Sequence, residues 1–147
     1  MQNRYLFKAK RKDNGEWVQG VPFEIEGKTV ILIKDTENLL RTHYLEENMW
    51  TAEIYAIEVD SSTICQCIGL KDKNGKLIFE NDIVAYLDVY STDSGLAEAD
   101  SIGEVVWDDE TISFQVTNRL FSESYEVLGD ECSVIGNVFD NPELLEE

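Results

Sequence analysis

Two Asn-Gly dipeptides, Asn14-Gly15 and Asn74-Gly75, stand between short runs of alternating apolar and polar residues. This pattern constrains the chain more than any other feature. Asn and Gly take up positive φ at little cost, and at such positions adjacent strands fold back on each other. Ahead of the first dipeptide, Tyr5, Phe7 and Ala9 alternate with Arg4, Leu6 and Lys8, a period of two that suits a half-buried strand, and Trp17-Val18 follows it. The second lies between Ile68-Gly69-Leu70 and Leu77-Ile78-Phe79. A hairpin of the type I′ class, with both turn residues at positive φ, is the expectation for Asn14-Gly15.

The rest of the chain continues in strand-length pieces. Gly20 to Glu26 reads as an irregular, Pro-containing stretch or an edge strand, and a turn at Glu26-Gly27-Lys28 leads into the apolar run Val30 to Ile33. Residues 35–50 fit two descriptions: a short helix capped by Asp35 or Thr36, or a loop laying Leu39, Tyr44, Leu45 and Trp50 on a sheet. Tyr55, Ile57 and Val59 alternate, and Glu80-Asn81-Asp82 turns the chain into a strand over Ile83 to Leu87. Asp88 to Asp100 lacks periodicity and is expected to be a long mobile surface loop; its acids do not follow a calcium-loop pattern. A third hairpin is expected around Asp108-Asp109-Glu110-Thr111, with Ile112, Phe114 and Val116 facing one way. Strands over Tyr125 to Leu128 and Val134 to Phe139 precede a short terminal helix capped by Asn141, with Pro142 in its first turn. The expected class is therefore mostly β, built of hairpins, with one or two short helices.

At 147 residues the chain is expected to be a single domain. Its natural internal division is an N-terminal β subdomain over about residues 1–62 packed on a small C-terminal β-barrel over about 63–147. No apolar run approaches the roughly 20 residues that span a bilayer, and Met1 to Lys12 lacks a signal-peptide core. A cytoplasmic location with no membrane partner is the expectation. The odd number of cysteines, Cys65, Cys67 and Cys132, fits reduced, partly buried thiols with no role beyond packing. A metal site made of these three and His43, the only histidine, lacks the paired spacings of structural zinc sites.

Charge divides the chain sharply. Residues 1–76 carry 11 basic and 12 acidic residues, whereas residues 77–147 carry Arg119 and 18 acidic ones, which brings the total to −18. Such a field opposes binding to nucleic-acid backbones, whose affinity comes from Lys and Arg neutralising phosphates. One cationic cluster stands against it: Arg4, Lys8, Lys10, Arg11 and Lys12, with Tyr5, Phe7 and Trp17 among them. No phosphate loop, nucleophile elbow or His-Glu-x-x-His helix occurs, so no catalytic residue, cofactor or metal is assigned. The residues favour a contact with another protein, or with copies of the chain itself. A nucleic-acid-binding small barrel is the alternative, together with an acidic surface that mimics DNA.

The stretches FKAKRKDNGEWVQG (7–20), TICQCIGLKDKNGKLIFENDIV (63–84) and VIGNVFDNPELL (134–145) resemble the YopX family of phage and prophage proteins. The resemblance implies a predominantly β fold containing a small SH3-like barrel, in a phage or an integrated prophage of a bacterium. It implies no activity. Relatives tend to read Glu-Gly-Asp where this chain has Glu80-Asn81-Asp82, and Asn can hold the same positive-φ turn.

Overall fold

The computed structural model describes residues 3–33, 42–52, 55–118, 123–127 and 129–146. Among them the chain forms thirteen strands and three 3₁₀ turns, with no α-helix. The strands are β1 (Phe7–Lys10), β2 (Trp17–Ile25), β3 (Lys28–Ile33), β4 (Thr42–Glu46), β5 (Met49–Ala52), β6 (Tyr55–Glu58), β7 (Cys65–Lys71), β8 (Leu77–Phe79), β9 (Asp82–Thr92), β10 (Gly95–Asp108), β11 (Ser113–Asn118), β12 (Glu123–Glu126) and β13 (Cys132–Asn137). They fall into two units, Tyr5–Gln66 and Cys67–Glu147 with Met1–Arg4.

In the N-terminal unit, antiparallel strands lie in the order β6-β3-β2-β1, and β1 also pairs with the start of β7. Ala9, Ile31 and Val59 form its core, with Phe7, Val18, Ile33 and Ile64 packed on them. Trp17 to Gly20 pairs with β1 and Val21 to Ile25 with β3, so among the described strands each half of β2 has a partner on one side only. Pro22 sits in the half that β1 does not reach, where a missing N–H costs least. The type I′ geometry occurs at Glu26-Gly27, with φ of 51° and 77°. At the first Asn-Gly only Gly15 is left-handed; the Gly15 N–H donates to the Arg11 carbonyl, and Asn14 Oδ1 accepts from the Glu16 N–H. The hairpin is as expected, but its turn is longer because Asn14 satisfies the backbone with its side chain instead of turning left-handed.

Residues 42–52 correct the reading of 35–50 as helix or packed loop. Thr42–Glu46 and Met49–Ala52 are two strands joined through Glu47-Asn48, with Asn48 left-handed at φ 64°. Residues 35–41, including the proposed caps and Leu39, lie outside the described residues.

The C-terminal unit contains the β7–β8 pair and a five-stranded antiparallel sheet in the order β12-β11-β10-β9-β13. Ile68, Ile78, Val84, Val105, Val116, Val127 and Cys132 are buried together, with Tyr86, Phe114 and Val134 against them. Two buried carboxylates fix the turns around this core. Asp82 accepts from the Phe79 N–H at 2.8 Å, while Asn81 between them is left-handed at φ 69°. Asp72 Oδ1 accepts from the Asn74 and Lys76 N–H groups, and Oδ2 accepts from Val134 across 62 residues of sequence.

Four expectations are corrected in this unit. Residues 88–100 are not a loop; they complete β9 and β10, which pair without a bulge from Glu104↔Ile83 to Gly95↔Thr92. Ile112 is not in β11 but closes the preceding turn at φ 53°, a strained setting for a β-branched residue. The terminal helix is a 3₁₀ turn over Pro142–Leu145, and Asn141 makes no side-chain cap; its Oδ1 accepts from the Asn137 N–H at 3.2 Å. The expected small barrel is an open sheet: β12 and β13 are its two edges, and no pairing joins them among the described residues.

Candidate functional site

The long hairpin of β9 and β10 leaves the sheet and becomes a two-stranded ribbon. β13 pairs with β9 only from Asp82 to Tyr86, and β11 pairs with β10 only from Glu104 onward. Residues 87–92 and 95–100 therefore have each other as their only described strand partner. Residues directly opposite in an antiparallel pair share a face, as do residues two apart along a strand. The pairs Leu87↔Asp100, Val89↔Glu98 and Ser91↔Leu96 thus lie on one face with Ile102. That face is open to solvent: Leu96 is 78% exposed, Val89 52% and Leu87 51%. Four large apolar side chains are set among carboxylates on a structural element that water alone stabilises poorly.

Beside the ribbon lies a concavity of about 250 Å³ lined by Tyr86, Leu87, Asp88, Val89, Val116, Glu126, Glu131 and Cys132. Three of these lining residues, Asp88, Glu126 and Glu131, bring carboxylates to an otherwise largely apolar set. The Cys132 thiol donates to the Gly129 carbonyl at 3.5 Å. Burial pushes its pKa up, and the negative charges of Asp72 and Asp130 act in the same direction. The thiol is thus held protonated, the wrong state for a nucleophile or a metal ligand. A second, more open groove of about 510 Å³ is lined by residues including Leu70, Trp107, Ile112 and Phe114. Trp107 packs edge-on to Phe114 at 5.1 Å and donates its indole N–H to Asp109.

The residues weighed from sequence do not converge on one centre. Cys65, Cys67 and Cys132 are buried and unbridged. Cys65 donates to the Thr63 carbonyl, and burial raises the pKa of Cys67. Among the described residues no group of three or more His, Cys, Asp or Glu could hold a metal ion. His43 lies on β4 opposite Thr51. The basic cluster is divided: Arg4 belongs to the C-terminal unit and the other four to the N-terminal unit. Arg11 is paired with Asp13 at 2.6 Å and Lys12 with Glu58 at 3.0 Å. Lys8 and Lys10 lie over the Trp17 ring at 5.0 and 5.5 Å, covering the aromatic face a stacked base would need. The ribbon was missed because one face mixes Leu87, Val89, Leu96 and Ile102 with Glu98 and Asp100, so polarity does not sort by strand face as the period-two signal requires. No helix among the described residues is long and apolar enough to cross a membrane.

No curated protein matches the chain. Among solved structures it is similar to the crystal structure of protein EF1440 from Enterococcus faecalis, with 26% identity and a TM-score of 0.56. That similarity covers 95% of this chain and 96% of the other. The profile of the family described as YopX protein matches residues 6–146, nearly the whole sequence. The strands, the two units and the ribbon described above are therefore features of a chain that belongs to the YopX family.

Proposed function

We propose that this chain is a phage- or prophage-encoded accessory protein that acts in the bacterial cytoplasm by binding a positively charged protein through the ribbon of β9 and β10. The observation that carries this reading is the open face of Leu87, Val89, Leu96 and Ile102 interspersed with Glu98 and Asp100. An apolar surface gains free energy when covered, and the surrounding carboxylates select a partner of opposite charge. A second copy of the chain is disfavoured, because each carries a formal charge of −18. The nucleic-acid reading loses support where Arg11 and Lys12 are already paired with carboxylates. The strand order of the C-terminal sheet, a meander whose last strand returns beside its first, supports describing this unit as a partly open SH3-like barrel.

The test is site-specific photocrosslinking in bacterial cells. A crosslinking residue at Leu96 or Val89 is expected to capture a basic protein, whereas one at the exposed Phe23 of the N-terminal unit is not. Adducts to nucleic acid, adducts to a second copy, or equal capture from Phe23 would overturn the reading.

A further inference from the structure

We propose that the free edge of β9 beyond Tyr86 is a strand-addition site for an extended protein segment in which apolar and basic residues alternate. The inference rests on the partner-binding reading above, and adds how the partner is held and what its binding segment looks like. Strand β13 covers β9 as far as the pair Cys132↔Tyr86. There the chain leaves the edge through the 3₁₀ turn Gly129–Glu131, and Leu87–Thr92 continue with one side unpaired among the described strands. Along such an edge alternate residues direct backbone N–H and C=O groups outward, which is the template an added strand uses.

The surroundings of this edge specify the sequence that fits it. The concavity bounded by Leu87, Asp88, Val89, Glu126 and Glu131 opens at the point where β13 stops, so an added strand would extend the line of β13 across it. Residues of that strand opposite Leu87 and Val89 would meet the apolar face of the ribbon. Those opposite Asp88 and Tyr90 would meet a carboxylate and an exposed aromatic ring, both of which favour a cation. The register thus reads apolar, basic, apolar, basic. Charge argues the same way on a larger scale. The C-terminal unit holds five basic residues (Arg4, Lys71, Lys73, Lys76 and Arg119) against nineteen acidic ones, a net of −14. A β9 edge from another copy would bring Asp88 and its carboxylate neighbours against the same groups, so the occupant is a basic segment of a different protein.

The test uses the purified full chain and three synthetic probes read by amide hydrogen exchange. The probes are a peptide of alternating Val and Lys, the same peptide with Pro replacing alternate Val residues to remove the N–H donors, and an oligolysine of equal charge. The alternating peptide is expected to slow exchange within Leu87–Thr92 while the other two do not. Its affinity should fall at least about tenfold in Asp88→Lys, a surface change that leaves the core intact. Protection confined to residues 95–103, equal binding of all three probes, no binding of any, or unchanged affinity in Asp88→Lys would each overturn strand addition. The broader reading fails separately, through the crosslink from Leu96 on the opposite strand. A positive crosslink combined with equal binding of all probes would mean that the ribbon docks its partner by its face alone.

Discussion

Glu26 and Asp72 show how much a single position contributes and how unevenly that is written in the sequence. Glu26 occupies a left-handed position, φ 51°, in the two-residue turn with Gly27, and Asn is better tolerated there than Glu. Glu26→Asn is expected to stabilise the N-terminal unit by about 0.5 kcal/mol, measured by chemical denaturation, because the strained residue is replaced by one suited to the turn. Asp72 is a stronger case. Burial alone would raise its pKa, but the N–H groups of Val134, Lys76 and Asn74 donate to it and hold the carboxyl below its ordinary range. A carboxyl whose folded pKa is depressed stabilises the fold in full above its unfolded pKa of about 4 and loses that contribution as the pH falls through the folded value. Asp72→Ala is expected to cost about 2 kcal/mol at neutral pH, since it strips three donors of their acceptor. The variant should also lose less stability than the parent between neutral and acid pH; a parallel loss would show that Asp72 is not responsible. The hairpin before Gly75 was legible from its Asn-Gly, whereas the bond from Val134 to Asp72 was not, because local pattern carries no information across 62 residues.

At the scale of elements, what the sequence revealed depended on whether one face of a strand was buried. Strands β1, β6 and β11 have one buried or half-buried side and were visible as alternation in Phe7-Ala9, Ile57-Val59 and Phe114-Val116. In the outer part of β9 and β10 the half-buried side carries Asp88, Ala97, Ala99 and Ser101 while the exposed side carries Leu87, Val89 and Leu96, so polarity does not follow burial. Residues 42–52 were misread for a different reason: the left-handed Asn48 lies in a tight turn, but the flanking residues follow neither period cleanly. Two measurements bear on the ribbon as an element. Amides of Val89 to Glu98 are expected to exchange much faster in the free chain than those of Ile83 to Tyr86, which lie between β10 and β13. Equal protection would mean the ribbon is already covered. Gly103 marks where the ribbon joins the sheet, and an added Cβ there would meet the Val116 side chain and lie 2.9 Å from the Thr117 carbonyl oxygen. Gly103→Val is expected to cost about 2 kcal/mol by overpacking, seen as a lower denaturation midpoint.

For the whole molecule the governing quantity is charge, and here the sequence was most informative. The imbalance between the halves is read directly from residue counts, and the structure adds that Asp88, Glu98 and Asp100 stand among the apolar side chains of the ribbon. The candidate site itself was invisible beforehand, because it consists of an open strand edge and an exposed face, neither of which leaves a motif. Long-range attraction between this surface and a basic partner is screened by salt, with a Debye length of about 10 Å at 0.1 M. The most direct measurement is gel filtration of the chain from bacterial lysate, over a range of salt, for the parent and for a Leu87→Ser, Val89→Ser, Leu96→Ser variant. The parent is expected to elute at low salt in a complex with a basic protein and to return to the free chain as salt rises, while the variant elutes free throughout. A complex that survives in the variant, or a parent that elutes free or as a self-assembled species at every salt concentration, would contradict the proposed role of the ribbon.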